Sequence, residues 1–335
     1  MIKQGEFMLQ IFILIISLLI GFNSIAKTQP KLLFKTNFQS DVVIGPHRDL
    51  YASKMGGWQD IIGKDNSTGF SFGKVNNLGA YFTGIQNITT EPVTLETIKD
   101  HVQHEIKSVV GPNGSQIKSL TLTLKKKGPV GAVLPGAGHA QAPLLFARDY
   151  RLADMKTAYV SYWFRFDEGM PARLHPEISS GNWRVLFEFK TGGYKNTGNG
   201  DFRIQTTVLK NKENKLYWMT KADTNANAPT SEIPLKDYWV YRNYDMPVPI
   251  GKWFKFEAYW MRYADGTKGR YWNAIDGKVL FDIKNKTLGE FSLPVGRLFV
   301  INSYSGGEPP VISEIAGLEI WDNFPCGQFR SCYQK

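Results

Sequence analysis

Cysteine and histidine are scarce in this sequence, with two cysteines and five histidines among 335 residues. Such a chain has no cysteine-based haem site, and its two cysteines lack nearby histidine partners for a metal. No glycine-rich loop joins a strand to a helix in the pattern that holds nucleotide or flavin phosphates, and no contiguous loop has the ligand spacing of a calcium site. The sequence therefore predicts no metal or organic cofactor, with a structural calcium ion left open as the alternative.

Long apolar runs are also few, and the clearest one lies at the amino terminus. Residues 11–20 form an apolar run after a polar start, and small residues follow at 24 and 26. A membrane-spanning helix needs about 20 apolar residues, so this run is too short. Its layout is typical of a cleaved secretion signal. We expect residues 1–26 to be removed and the mature protein to be secreted or periplasmic, with no membrane association.

The remaining chain has no Pro/Ser-rich linker, low-complexity tract or internal repeat that would mark a domain boundary. Residues 27–335 are therefore predicted to form one domain. Its two cysteines, Cys326 and Cys332, lie six positions apart. In an exported protein, this spacing favours a small disulfide loop.

Acidic residues are outnumbered, with 30 Asp and Glu against 40 Lys and Arg, so the formal net charge is +10. A basic surface concentrates polyanions by long-range attraction, and acidic polysaccharides are natural polyanions outside the cell. The basic residues show no recognition-helix pattern, which argues against nucleic acid as a partner. We expect a monomer that binds an acidic polysaccharide, although composition alone also fits a surface that serves solubility.

Alternation with period two dominates the chain. Segments rich in aromatic and β-branched residues show it at 159–166, 183–190, 201–208 and 253–260. Such segments are strands by both propensity and alternation. Asp276-Gly277 separates two further segments and is typical of a tight hairpin turn. The sequence predicts an all-β fold.

Residues 94–110 depart from this pattern, because their apolar residues recur near helical spacing before Gly111-Pro112. We predict one short helix there. It would carry His101, His104 and Glu105, whose spacing is not that of a helical zinc site. These residues are assigned to a solvated helix face.

A block at residues 247–282 contains a strand that opens with Gly251-Lys252-Trp253, followed by the Asp276-Gly277 hairpin. In this block and in residues 315–323, the chain resembles concanavalin A-like jelly-roll proteins. Among them it is most similar to polysaccharide lyases of the heparin lyase and glucuronan lyase type, over about residues 115–325. The resemblance implies a jelly-roll β-sandwich of two large antiparallel sheets and β-elimination on a uronate-containing polysaccharide.

A lyase of this kind must neutralise the sugar carboxylate, remove the C5 proton and protonate the leaving oxygen. The resemblance implies that these groups lie on one concave sheet face. Strand alternation predicts that Val185, Phe187 and Phe189 point inward on 183–190, and that residues 184, 188 and 190 point outward. The predicted substrate-binding set is Arg184, Glu188, Arg203, Gln205, Glu257 and Tyr259.

The chain departs from the lyase pattern at the central strand. Jelly-roll lyases commonly carry Gln-x-His there, whereas this chain has Glu188-Phe189-Lys190. The candidate bases are Lys190 and the loop residue His139. The candidate proton donors are Tyr194 and Tyr304.

Two other functions stay open. Glu188 and Glu257 would serve a glycoside hydrolase if they faced each other across one cleft, but the strand pattern of the jelly-roll glucanases is absent. A non-catalytic, lectin-like module needs no base, and the missing histidine favours it. Nine Trp and 15 Tyr residues would supply its stacking surfaces.

Overall fold

The computed structural model describes residues 29–48, 58–72, 80–81, 102–125, 142–147, 156–176, 181–191, 202–224, 236–262, 268–286, 288 and 295–325. Lys31–Lys335 form one compact unit, and Met1–Pro30 form another, of which only residues 29 and 30 are described. The predicted secretion signal at 1–26 and the predicted disulfide between Cys326 and Cys332 lie outside the described residues.

Strands make up nearly all of the regular structure in these ranges. In chain order they are β1 (Leu32–Thr36), β2 (Val43–Arg48), β3 (Trp58–Lys64), β4 (Ser71–Phe72), β5 (Ala80–Tyr81), β6 (Val102–Val110), β7 (Gln116–Leu124), β8 (Ala142–Ala147), β9 (Thr157–Phe166), β10 (Trp183–Thr191), β11 (Arg203–Lys210), β12 (Leu216–Thr224), β13 (Lys236–Asn243), β14 (Phe254–Arg262), β15 (Gly269–Ile275), β16 (Lys278–Lys284), β17 (Val295–Ser303) and β18 (Val311–Trp321). One short helix, α1 (Met170–Arg173), follows β9.

The strands form two antiparallel sheets. The eight-stranded sheet has the order β16-β15-β14-β9-β18-β7-β6, with β1 paired to β18. The ten-stranded sheet has the order β13-β12-β11-β10-β17-β8-β5-β3-β2, with β4 paired to β3. The prediction of an all-β sandwich is confirmed.

Aromatic side chains fill the space between the sheets. Phe187 and Phe189 of the ten-stranded sheet are fully buried, and each packs on Trp260 of the other sheet, with ring centroids 6.3 and 4.9 Å apart. Thr206 and Tyr271 add a hydrogen bond between their hydroxyl groups, 2.8 Å long, across the same interior. Burial of these large rings supplies most of the driving force for sheet packing.

A bulge interrupts the alternation of β10. Its pairing with β11 shifts between Val185 and Phe187, so one extra residue lies on β10. An extra residue reverses the facing of every side chain on one side of it. Both Leu186 and Phe187 consequently enter the core, and Arg184 turns inward.

The predicted helix at 94–110 is wrong over its described part. Residues 102–110 are β6, which pairs with β7 along its whole length. Gly111 opens a hairpin turn instead of ending a helix, and Gly114 supplies the positive φ of +81° in that turn. Pairing with a neighbouring strand has overridden the weak helical spacing, and His104 and Glu105 therefore lie on an edge strand.

Within the described ranges, no helix is long and apolar enough to cross a membrane. The same ranges contain no group of three or more His, Cys, Asp or Glu side chains that could hold a metal ion.

We expect Phe187→Ala to lower the free energy of unfolding by about 3–5 kcal/mol, because it removes a buried ring and leaves a cavity between the sheets. Urea denaturation followed by fluorescence measures the change. Val279→Ala is the control, since Val279 is 50% exposed, and we expect it to change stability by less than about 0.5 kcal/mol. Equal effects of the two substitutions would contradict the packing described above.

Candidate functional site

The outer face of β10–β13, on the side of the ten-stranded sheet away from the core, is the candidate site. On β11, Ile204 and Val208 join the core and the Thr206 hydroxyl reaches the other sheet. Arg203 and Gln205 alternate with them and therefore lie on the outer face, as the sequence predicts.

Glu188 and Gln205 are joined directly on this face. They occupy opposite positions of β10 and β11, and the Gln205 Nε2 donates to Glu188 Oε2 at 2.6 Å. Both side chains are buried, at 1% and 6% exposure. This hydrogen bond fixes the orientation of the Gln205 amide. It also stabilises Glu188, because a buried carboxylate without a hydrogen-bond donor is costly.

Arg203 forms a two-pronged ion pair with Asp223 of β12. Its Nε lies 2.8 Å from Asp223 Oδ1, and its Nη2 lies 2.5 Å from Oδ2. Lys221 Nζ is 3.0 Å from the same carboxylate and 3.3 Å from Asp237 on β13. Burial alone raises the pKa of Asp223, but the charges of Arg203 and Lys221 outweigh it and hold the pKa below its ordinary value.

The strand register adds two further basic positions beside Arg203. Lys190 of β10 lies opposite Arg203 on one side and opposite Arg297 of β17 on the other. Directly opposite residues share a sheet face and are about 5 Å apart. A row of basic positions from β17 to β11 therefore borders the Glu188–Gln205 pair.

Arg184 does not belong to this face, so its predicted role in substrate binding is wrong. It is 1% exposed, and its guanidinium donates to Ser313 Oγ of the other sheet and to the Val185 carbonyl at 2.7 Å. Burial, with a smaller repulsion from Arg173, lowers its pKa to about 9. The bulge in β10 is the cause, because it reverses the facing of residue 184 relative to residues 188 and 190.

Glu257 and Tyr259 do not share a cleft with Glu188 either. Both lie on β14, on the outer face of the other sheet. Glu257 Oε1 accepts a hydrogen bond of 2.6 Å from Tyr159, and Tyr259 donates to Asn323 at 3.2 Å. The predicted pairing of Glu188 with Glu257 for hydrolysis is therefore wrong, since the two carboxylates face away from each other across the sandwich.

The candidate catalytic residues are only partly described. Tyr304 packs edge-to-face on Trp183 at the start of β10, with centroids 4.6 Å apart. Lys190 is placed by its backbone register alone. His139 and Tyr194 lie outside the described residues.

Asp223 and Lys221 were missed in the sequence. On β12 they alternate with Thr220 and Ala222, so period two marks them as outward-facing residues. Their importance comes from being opposite Arg203 and Gln205, and no alternation within one strand reveals a partner on another.

No family model matches the sequence, and no curated protein matches it. Alginate lyase Aly36B is among the similar solved structures, with 16% identity and a TM-score of 0.39 over 64% of this chain and 82% of that one. A marine PL-14 alginate lyase from Aplysia kurodai has 10% identity and a TM-score of 0.35 over 71% and 97%. A structure of botulinum neurotoxin type C has 13% identity and a TM-score of 0.32 over 74% and 49%. Likeness at this level assigns no activity or ligand to this chain.

We expect Asp223→Asn to lower the free energy of unfolding by about 3 kcal/mol near neutral pH, because Arg203 loses its buried counter-charge. The folded-state pKa of Asp223 is depressed, so the stabilisation is present above the unfolded pKa of about 3.9. It is lost as the pH falls through the folded value. Urea denaturation of both proteins from pH 7 downward measures this difference. If the difference in free energy of unfolding between the wild type and Asp223→Asn stays constant below pH 4, the ion pair is contradicted.

Proposed function

We propose that the outer face of β10–β13 binds an acidic polysaccharide and cleaves it by β-elimination, in a protein that acts outside the cytoplasm. The observation that carries the proposal is the row of basic positions formed by Arg297, Lys190 and Arg203 beside the Gln205 amide. Basic and amide groups in one row suit a polymer with a carboxylate on each sugar.

Neutralisation of the uronate carboxylate is the first requirement of the reaction. Arg203 is held in one orientation by Asp223, and Gln205 by Glu188. Groups that are already oriented lose little entropy when the substrate binds, so they stabilise the developing charge at C5 and its carboxylate.

Proton transfer follows at two atoms. A base takes the proton from C5, and the electron pair of the broken C5–H bond forms the C4–C5 double bond. The C4–O bond then breaks, and its electron pair leaves with the glycosidic oxygen. An acid then protonates the departing glycosidic oxygen, leaving an unsaturated uronate on one product. Lys190 is our first candidate for the base because its position lies between two arginine positions next to Gln205; His139 is the second. Tyr194 is the candidate acid.

Tyr304 packs on Trp183 at the opposite end of β10 from Lys190, about 20 Å away at roughly 3.3 Å per residue. It is therefore too distant to protonate the oxygen at the site of Lys190, and its predicted role as the acid is wrong.

The proposal is tested with purified residues 27–335 and a panel of glucuronan, alginate, heparin-type and pectic polymers. Ultraviolet absorbance of the unsaturated uronate measures the reaction. We expect Lys190→Ala to lower kcat on the cleaved polymer by at least about 100-fold, and Arg203→Gln to raise KM. Lys284→Ala is the matched control, since that side chain is 59% exposed on the other sheet.

A rise in absorbance that persists in Lys190→Ala but disappears in His139→Ala would transfer the role of base to His139. No rise on any polymer would contradict the lyase proposal.

A non-catalytic carbohydrate-binding module is the second candidate. It is favoured by the residues of β10–β13, none of which is histidine. Retention of the protein on a gel that contains an acidic polysaccharide, without any unsaturated product, would support this function in place of the lyase.

A further inference from the structure

A large groove lies on the outer face of the eight-stranded sheet, on the opposite side of the sandwich from β10–β13. Its volume is about 810 Å³, which is within the range of about 300–1,000 Å³ for small-molecule sites. We call it the Trp163 groove; its lining includes Trp163, Lys255, Lys118, Lys35, Asn37 and Asn113. None of these residues takes part in the function proposed above.

The floor of the groove is built around the half-buried Trp163 of β9. Its cross-strand neighbours are Lys255 on β14 and Ala316 on β18. Gly317 follows in a bulge of β18, with a φ of +58°, and a Cβ there would lie 3.5 Å from the indole. Ala316 and Gly317 are small, so they leave space beside the indole of Trp163 on the outer face of the sheet. The inner face of the same sheet is densely packed.

The charge of the groove is positive, with three lysines and one glutamate in its lining. Lys35 Nζ pairs with Glu319 Oε1 at 2.8 Å. Lys118 and Lys255 form no ion pair within the described part of the chain. Burial lowers the pKa of Lys255, although Glu319 and Glu257 partly offset this. An anionic ligand would supply a counter-charge to Lys118 and would add to the partial one at Lys255.

One wall of the groove is held rigidly by the buried carboxylate of Asp65. It accepts hydrogen bonds from Thr36 Oγ1 at 2.8 Å, from the backbone N–H of Asn37 at 2.6 Å and from Ser67 Oγ at 2.6 Å. Burial alone raises the pKa of Asp65, but these bonds outweigh it and hold the pKa below its ordinary value. Asn37 and Ser67 both line the groove, so its polar wall is ordered before any ligand binds.

We propose that the Trp163 groove is a second, non-catalytic binding site for an acidic oligosaccharide. The indole of Trp163 lines the groove, with Lys255 Nζ 5.8 Å from its ring centroid, so an aromatic surface and a cation lie together where an acidic sugar would bind. The side-chain amides of Asn37 and Asn113 suit hydroxyl groups, and Lys118 suits a carboxylate or sulfate. The proposal requires no catalysis on the opposite face.

Titration calorimetry of the mature chain tests this proposal, with a uronate tetrasaccharide, a sulfated tetrasaccharide and a neutral one as probes. We expect binding of at least one acidic probe that survives Arg203→Gln and is at least about tenfold weaker in Trp163→Ala and in Lys118→Glu. Lys278→Glu is the charge-matched control, because Lys278 is exposed on β16 outside the groove, and we expect it to leave affinity unchanged. The two acidic probes distinguish a carboxylate ligand from a sulfate ligand.

Circular dichroism and thermal melting establish that each variant is folded. If Trp163→Ala does not fold, Lys118→Glu decides the outcome, because the side chain of Lys118 is partly exposed. The proposal is overturned if the folded variants bind every acidic probe as tightly as the wild type, if Lys278→Glu weakens binding equally, or if Arg203→Gln alone abolishes all binding.

Binding at the Trp163 groove and lyase activity are measured separately, so the two proposals fail with different results. Groove-dependent binding without unsaturated product would leave the second site in place and remove the lyase. Product formation with no effect of Trp163→Ala or Lys118→Glu on binding would do the reverse.

Discussion

Packing of aromatic rings between two sheets is the interaction on which the rest of this structure depends. Phe187 and Phe189 meet Trp260 in an interior where all three side chains are fully buried. Because each strand gives alternate side chains to that interior, the two outer faces carry the polar side chains of the candidate site and of the Trp163 groove. The candidate catalytic face and the Trp163 groove are both built from side chains that point away from the core.

Alternation along single strands could be read from the sequence, and this is why the facing of Arg203 and Gln205 was predicted correctly. The bulge in β10 was not predictable in this way. One inserted residue changes no local propensity, yet it moves Arg184 from the outer face to the interior. The burial of an arginine there depends on acceptors at Ser313 and Tyr304, which are more than 100 residues away.

The partition of strands between sheets was likewise beyond the reach of periodicity. Glu188 and Glu257 have the same local pattern of polar residues between aromatic ones, but pairing places their strands in different sheets. The partners of the acids on the candidate face also follow from pairing: Gln205 donates a hydrogen bond to Glu188, and Arg203 forms an ion pair with Asp223. On a face that attracts polyanions, the carboxylates of the protein itself need hydrogen-bond or ion-pair partners. Only the strand register shows which residues are those partners.

The position of β18 has a consequence for how the chain folds. This strand, which ends at Trp321, lies between β7 and β9 and also pairs with β1 near the start of the domain. The backbone amide of Lys31 bonds to Asp322, 291 positions away. Contacts between such distant residues form slowly, because a long loop must close before they stabilise anything. The eight-stranded sheet is therefore complete only after residues up to 321 have been synthesised and β18 has inserted between β7 and β9.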